Sequence, residues 1–121
     1  MSRHMNLIVA CEYFLYIEAI CKLLTSEKYI EVIAKASTSE DVKTLIKNKI
    51  KADLLILDMD MADLNLPEVL DLIGQRAPYL KIILLTDKYD KEKFIEAINV
   101  VYILKCASAR ELIRSIQTLV L

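Results

Sequence analysis

The stretch ADLLILDMD, residues 52–60, decides the fold of this chain. It contains four consecutive apolar residues, 54–57, and such an unbroken run is typical of a parallel strand that is covered on both faces. The run ends in Asp58, and a second carboxylate follows at Asp60. We therefore predict a buried central strand that brings an acidic side chain to one edge of a parallel sheet.

Short β-rich runs alternate with amphipathic stretches on both sides of this strand. The predicted strands are 7–10, 30–36, 54–57, 81–85 and 100–104. The predicted helices are recognised by apolar side chains at helical spacing or by helix-start residues. They are Leu15, Ala19, Ile20, Leu23 and Leu24; the hydroxyl-rich start 37–40 (Ser-Thr-Ser-Glu) with Val42, Leu45 and Ile46; Pro67 with Val69, Leu70, Leu72 and Ile73; Asp90 with Phe94, Ile95, Ala97 and Ile98; and Ser108 with Leu112, Ile113, Ile116, Leu119 and Val120. Parallel strands need right-handed helical crossovers. The prediction is a flavodoxin-like, doubly wound (βα)5 domain with a five-stranded parallel sheet in the order 2-1-3-4-5.

The bulk properties exclude several classes of protein. The length of 121 residues suits one domain, and 55% hydrophobic with 27% charged residues is a composition that folds. A net charge of −1 argues against a nucleic-acid surface or a polybasic membrane patch. The sequence contains neither an apolar run of about 20 residues nor a secretory signal. Residues 1–4 resemble a cloning tag, so we expect the domain to occupy residues 5–121.

The cysteines and the histidine argue against several kinds of site. The three cysteines, at positions 11, 21 and 106, form no C-x-x-C pair and are odd in number. We therefore expect reduced thiols in the cytoplasm rather than a disulfide framework or a zinc site. The only histidine, His4, lies in the expected tag, so a histidine-based catalytic set is not predicted.

Polar residues follow four of the predicted strands. They are Cys11 with Glu12, Asp58 with Asp60, Thr86 with Asp87, and Lys105 with Cys106. In open α/β sheets the site lies beyond the carboxyl ends of the strands, so these side chains are expected to converge there. Grouped carboxylates are ligands for Mg²⁺, and a carboxylate can attack phosphorus to give an acyl phosphate. Each residue alone is equally compatible with a strand-end or surface role.

With these residues in place, the sequence resembles the receiver domains of bacterial two-component response regulators. The resemblance is greatest to the NarL-like branch, whose receiver domains precede helix-turn-helix output domains, and it covers residues 5–121. The stretches that carry it are 52–61, 83–86 and 102–108. It implies a signalling module, not an enzyme, that is phosphorylated by a sensor histidine kinase and acts in transcription regulation. The resemblance to this family also implies that the domain forms homodimers.

The resemblance also assigns roles to single residues. Asp58 matches the phosphate-accepting aspartate, Lys105 the phosphate-contacting lysine, and Thr86 the switch hydroxyl. Tyr102 matches the aromatic residue that swings inward when that hydroxyl is drawn to the phosphate. For Mg²⁺, the resemblance implies Glu12 and Asp58 as carboxylate ligands, with the backbone carbonyl of Asp60 as a further ligand.

Three departures from the family pattern favour a divergent or degenerate receiver. Cys11 stands where the family usually has its first acidic residue, and a thiol is a poor Mg²⁺ ligand. The loop 61–66 lacks the usual glycines, and the connection before Tyr102 is several residues short.

These departures leave several hypotheses open. The first is a phosphorylation-controlled switch. The second is a module for dimerisation or protein interaction that needs no phosphorylation. A flavodoxin-like or small hydrolase domain ranks last, because the chain has no glycine-rich phosphate loop. For Cys11, a buried inert thiol is favoured over a redox role.

Overall fold

The sheet has five parallel strands. The computed structural model describes residues 4–88, 99–105 and 107–120. The strands are β1 (Met5–Ala10), β2 (Ile30–Ala36), β3 (Leu54–Asp58), β4 (Lys81–Thr86) and β5 (Val100–Leu104). Their order across the sheet is β2-β1-β3-β4-β5, and all four neighbouring pairs are parallel. The predicted order 2-1-3-4-5 is thereby confirmed.

The central strand β3 is buried along its whole length, as its apolar run predicts. It pairs with β1 on one side, where Leu7 faces Leu54, and with β4 on the other, where Asp58 faces Leu85. This register ends β1, β3 and β4 at the same edge of the sheet. The polar residues that follow these strands are therefore neighbours in space.

Four helices lie within the described residues: α1 (Phe14–Leu24), α2 (Ser39–Lys47), α3 (Leu66–Arg76) and α4 (Ala109–Val120). The predicted caps of α2 and α4 are confirmed, because Thr38 Oγ1 accepts the Asp41 N–H at 3.1 Å and Ser108 Oγ accepts the Glu111 N–H at 3.2 Å. Pro67 lies in the first turn of α3. The helix predicted behind Asp90 falls outside the described residues.

The buried face of α1 differs from the predicted one. Leu15 is 81% exposed and Ala19 is also exposed, whereas the sheet is covered by Ile17, Ile20, Cys21 and Leu24. These four residues follow the i, i+3, i+4, i+7 spacing of a single helical face. Leu15 and Ala19, two of the residues whose spacing predicted this helix, lie beside that face. The helix is apolar on more than one side, and composition alone did not reveal which side packs.

The two faces of the sheet carry separate apolar cores. One core lies between the sheet and α1 with α4, and includes Ile20 and Ile116. The other lies between the sheet and α2 with α3, and includes Val42 and Val69. Within residues 4–88, 99–105 and 107–120, none of the helices has the length and apolar character that crossing a bilayer requires.

Candidate functional site

Asp58 is a buried carboxylate at the carboxyl end of β3, with its side chain 1% exposed. Its Oδ1 accepts two hydrogen bonds, from the Lys105 ammonium at 2.9 Å and from the backbone N–H of Asp60 at 2.9 Å. Its Oδ2 accepts one, from the Cys11 thiol at 3.3 Å between Sγ and Oδ2. A buried charge is costly unless it is paired and hydrogen-bonded. Asp58 meets that requirement through three different chain segments.

Lys105 provides the positive charge of the site. Its backbone N–H donates to the carbonyl of Thr86 at 2.9 Å, which fixes the residue at the end of β5. Its Nζ lies 2.9 Å from Asp58, 3.4 Å from Asp60 and 3.5 Å from Asp87. Burial opposes the charge on Lys105, but the hydrogen bond to Asp58 and the three carboxylates outweigh it and raise the pKa of the ammonium. One cation is therefore shared among three anions.

The Asp60 carboxylate is also bonded to the backbone of Asp87. Asp60 Oδ2 accepts the backbone N–H of Asp87 at 3.0 Å, so the loop after β3 is bonded to the chain after β4. The side chains of Asp60 and Asp87 are 39% and 66% exposed, in contrast to the buried Asp58. No individual role was predicted for either of these side chains. Their positions in the sequence could have indicated this contact, because Asp60 and Asp87 follow closely after the neighbouring strands β3 and β4.

Cys11 closes the site from the end of β1. Its backbone N–H donates to the carbonyl of Ala36 at 2.9 Å, and the residue is 1% exposed. Burial raises the pKa of the Cys11 thiol, and the hydrogen bond to Asp58 and the negative charge there raise it further. The thiol is thus a neutral donor at ordinary pH, which favours the inert cysteine over the redox-active one.

Within the part of the chain that the structure describes, the side chains of Thr86 and Glu12 make no bond to Asp58. The Thr86 hydroxyl, expected at the pocket, donates instead to the carbonyl of Lys88 at 2.9 Å, because the tight turn after β4 brings that acceptor within reach. Glu12 is half-buried and has no hydrogen bond or ion pair with any residue that the structure describes. Tyr102 lies on β5 and packs against the core on the α2 and α3 side. The described geometry thus joins Asp58 to Lys105, and leaves the side chains of Thr86 and Glu12 outside that contact.

The oxygen groups that the family resemblance implies as metal ligands suit a hard cation, but only weakly. Among the described residues, no three side chains of His, Cys, Asp or Glu converge as a metal-binding group. The protonated thiol of Cys11 contributes no charge. The two carboxylates of Glu12 and Asp58 and the carbonyl of Asp60 are all oxygen ligands, and Mg²⁺ is often held by one or two carboxylates while it keeps several waters. These residues therefore fit Mg²⁺ with less negative charge than an acidic pair beside Asp58 would provide.

Comparison of the sequence with known proteins identifies relatives of the same kind. The family model of the response regulator receiver domain matches residues 9–117. A protein of Arabidopsis thaliana assigned as the two-component response regulator ARR20 is 34% identical over 77 residues, which are 64% of this chain. The matched region is only 18% of the length of that relative.

Solved structures share the fold at low sequence identity. The receiver domain of the response regulator NarL from Mycobacterium tuberculosis superposes with a TM-score of 0.82 at 16% identity, covering 96% of this chain and 95% of that one. A LuxR-family DNA-binding response regulator from Staphylococcus aureus gives a TM-score of 0.82 at 24% identity, covering 95% and 98%. The receiver domain of RcsB from Salmonella enterica serovar Typhimurium, solved with the phosphomimetic BeF₃⁻, gives 0.78 at 22%, covering 97% and 88%.

These likenesses establish the fold, and the family match extends over most of the sequence. Receiver domains are signalling domains, and they generally bind Mg²⁺ at acidic residues. The resemblance inferred from the motifs around Asp58, Thr86 and Lys105 is confirmed: the chain belongs to the response regulator receiver domain family.

Proposed function

We propose that this receiver domain accepts a phosphoryl group on Asp58 from a histidine kinase and alters an interaction surface in response. The observation that supports this is the pairing of a buried carboxylate at the end of β3 with the Lys105 ammonium, 2.9 Å away. Lys105 is placed to balance the charge that a phosphoryl group would add.

The two oxygens of Asp58 differ in their availability as a nucleophile. Among the described residues, Oδ1 accepts two N–H bonds, whereas Oδ2 accepts only the weak S–H donor of Cys11. Oδ2 is therefore the oxygen that attacks the phosphorus of a phosphohistidine. The new O–P bond forms as the P–N bond breaks, and the imidazole leaves with the electron pair and is protonated. Before the transfer, Lys105 lies beside Oδ1.

A Mg²⁺ ion in this site would be held by the carboxylates of Glu12 and Asp58 and by the backbone carbonyl of Asp60. When bound, it neutralises charge on the transferring phosphoryl group. Because Cys11 is neutral, the affinity for Mg²⁺ is lower than in a site with one more carboxylate.

The response to phosphorylation involves Thr86 and Tyr102. The Thr86 hydroxyl would leave the carbonyl of Lys88 for a phosphoryl oxygen, and Tyr102 would move inward behind it. The surface so changed would act on an output domain or a partner protein in transcription regulation, in the cytoplasm. One structure of Salmonella RcsB contains two dimers bound to two DNAs. By analogy we propose that this domain forms homodimers and does not itself contact DNA.

The decisive experiment is phosphorylation by a small phosphodonor at millimolar Mg²⁺, followed by mass spectrometry of the intact protein. We expect the native chain to gain one phosphoryl group and Asp58→Asn to gain none. Asp53→Asn is the matched control. Asp53 lies at the opposite end of β3, where its Oδ2 accepts the Asn6 N–H at 2.8 Å, so this variant should be labelled normally. Labelling of Asp58→Asn, or none of the native chain, would contradict the proposal.

A second candidate is an interaction module that needs no phosphorylation. It is favoured by the same group of contacts, because Asp58 is inaccessible and Cys11 occupies an acidic position with a neutral donor. In that case the native chain would stay unlabelled, and self-association measured by sedimentation would be the same for the native chain and Asp58→Asn. A difference in self-association between these two proteins would exclude the module.

A further inference from the structure

The Asp60 side chain links the charge at Asp58 to the chain that follows β4. Its Oδ2 is 3.4 Å from the Lys105 ammonium and accepts the Asp87 N–H at 3.0 Å. Both contacts use the same carboxylate oxygen. A change in the position of Lys105 therefore reaches the backbone of Asp87 through a single atom.

The charges around Lys105 are unbalanced in the resting state. One ammonium faces the carboxylates of Asp58, Asp60 and Asp87. The two outer carboxylates stay near each other because the ammonium lies between them and Asp58. A phosphoryl group on Asp58 adds about −1.5 to −2 charges, and it would draw the ammonium toward itself. Asp60 and Asp87 would then face both each other and the phosphoryl group without their shared cation.

Burial determines which side chains can respond. Asp58 is 1% exposed and held by three donors, so it stays in place. Asp60 is 39% exposed, so its carboxylate can turn into water at small cost. When it does so, it no longer accepts the Asp87 N–H.

We propose that the Asp60 carboxylate is an electrostatic latch, which holds the Asp87 N–H while Lys105 is shared and releases it when negative charge is added at Asp58. This makes the Asp60 side chain a positioning group, since it acts on the Asp87 N–H and does not touch the attacking oxygen of Asp58. The proposal goes beyond the switch role of Thr86. Thr86 binds the carbonyl of Lys88, so the latch and the Thr86 hydroxyl restrain the same short turn through different bonds. It rests on the proposed function, because phosphorylation is the source of the added charge.

The test measures hydrogen exchange of the Asp87 amide by NMR. In the native chain, beryllofluoride should accelerate this exchange by about tenfold or more, as expected when a protecting hydrogen bond is lost. Removing the negative charge at position 58 should slow this exchange. In Asp58→Asn the ammonium is left to Asp60 and Asp87, and exchange at Asp87 should slow by about threefold or more.

Two substitutions at position 60 separate an electrostatic latch from a purely structural bond. Asp60→Asn keeps an oxygen that can accept the Asp87 N–H but loses the charge, so exchange should respond to neither beryllofluoride nor a second change, Asp58→Asn. Asp60→Ala removes the acceptor, so exchange should be fast in the resting state. An Asp87 amide that responds equally in the native chain and in Asp60→Asn would overturn the latch.

The failure of the latch and the failure of the proposed function give different results. If beryllofluoride leaves the spectrum unchanged while Asp58→Asn still slows exchange at Asp87, the latch holds and phosphorylation of Asp58 is wrong. If beryllofluoride binds at Asp58 and exchange at Asp87 does not accelerate, the latch is wrong and the proposed function holds. If Asp58→Asn leaves exchange unchanged, the latch is also wrong.

Discussion

The end of β1 and the ends of β3 and β4 both contact the site of Asp58, but they differ in charge. From β1, Cys11 offers a neutral thiol to Oδ2. From β3 and β4, Asp60 and Asp87 surround the ammonium that binds Oδ1. Among the described contacts, the carboxylates that share the Lys105 ammonium therefore come from β3 and β4, whereas the contact that Asp58 receives from β1 is a neutral thiol.

This difference in charge indicates which contact stabilises the buried carboxylate of Asp58. The contact of an ammonium at 2.9 Å with a buried carboxylate is a charge-assisted bond, which is about twice as strong as a neutral one. A thiol is a weak donor. We therefore expect the structure to depend strongly on Lys105 and only slightly on the hydrogen bond from Cys11.

The largest expected effect is the loss of stability in Lys105→Met. This change leaves the Asp58 carboxylate buried without a counter-ion, which typically costs about 3–5 kcal/mol. The Lys105 side chain is 18% exposed, so water can replace it in part and the lower end of that range is expected. Urea unfolding followed by circular dichroism measures the change.

Two further variants test whether this loss comes from the pairing of charges. In an Asp58→Asn background the same Lys105→Met change should cost much less, because no buried charge is then left alone. On the other side of the site, Cys11→Ser should cost about 1 kcal/mol or less, since a hydroxyl can replace the thiol as donor. A cost for Cys11→Ser equal to that of Lys105→Met would refute the asymmetry.

The second prediction restores charge on the side of β1. Cys11→Asp places a carboxylate beside Glu12 and Asp58, and should raise Mg²⁺ affinity by about tenfold or more, since one added charge near the ion is worth at least 1.4 kcal/mol. Calorimetric titration with Mg²⁺ measures it. Cys11→Ser is the control, because it adds no charge and should bind as the native chain does. Equal affinities in Cys11→Asp and Cys11→Ser would show that Mg²⁺ is held elsewhere.

The fold followed from the sequence because its signals are local. The apolar run 54–57 is continuous since β3 is covered on both faces, and hydroxyl caps at Thr38 and Ser108 mark helix starts by a direct hydrogen bond. The spacing of apolar residues predicted α1 but not its buried face, because α1 is apolar on several sides and only packing against the sheet selects one of them.

The site was predictable only in part. Strand ends place Asp58 and Lys105 at one edge, and a contact between opposite charges follows from that placement. The bonds of polar side chains at strand ends depend on rotamers and on the exact path of a turn, which leave no periodic pattern. For that reason the link from Asp60 to Asp87 and the bond from Thr86 to the carbonyl of Lys88 were not expected.

The last and smallest prediction uses pH to separate the two sides of the site. Burial raises the pKa of Cys11 above the ordinary thiol value of 9.0, and it acts in the same way on Cys21. Above pH 9.0 the unfolded chain loses thiol protons that the folded chain keeps, so stability falls as the pH rises. The pKa of Lys105 is raised from 10.5, so the stability that this ammonium gives is complete below that pH and is lost above it.

Stability measured by urea unfolding should therefore decline gently from about pH 9 and more steeply above about pH 10.5. Cys11→Ser should weaken the first decline. Cys21→Ser should weaken it as well, and the two effects should add because Cys21 lies on α1 and does not share the bond to Asp58. Lys105→Met should remove the part of the second decline that comes from this ammonium. A first decline that persists unchanged in the double variant Cys11→Ser with Cys21→Ser would mean that the thiol of Cys11 is not held protonated beside Asp58. The neutral character of the β1 side would then be wrong.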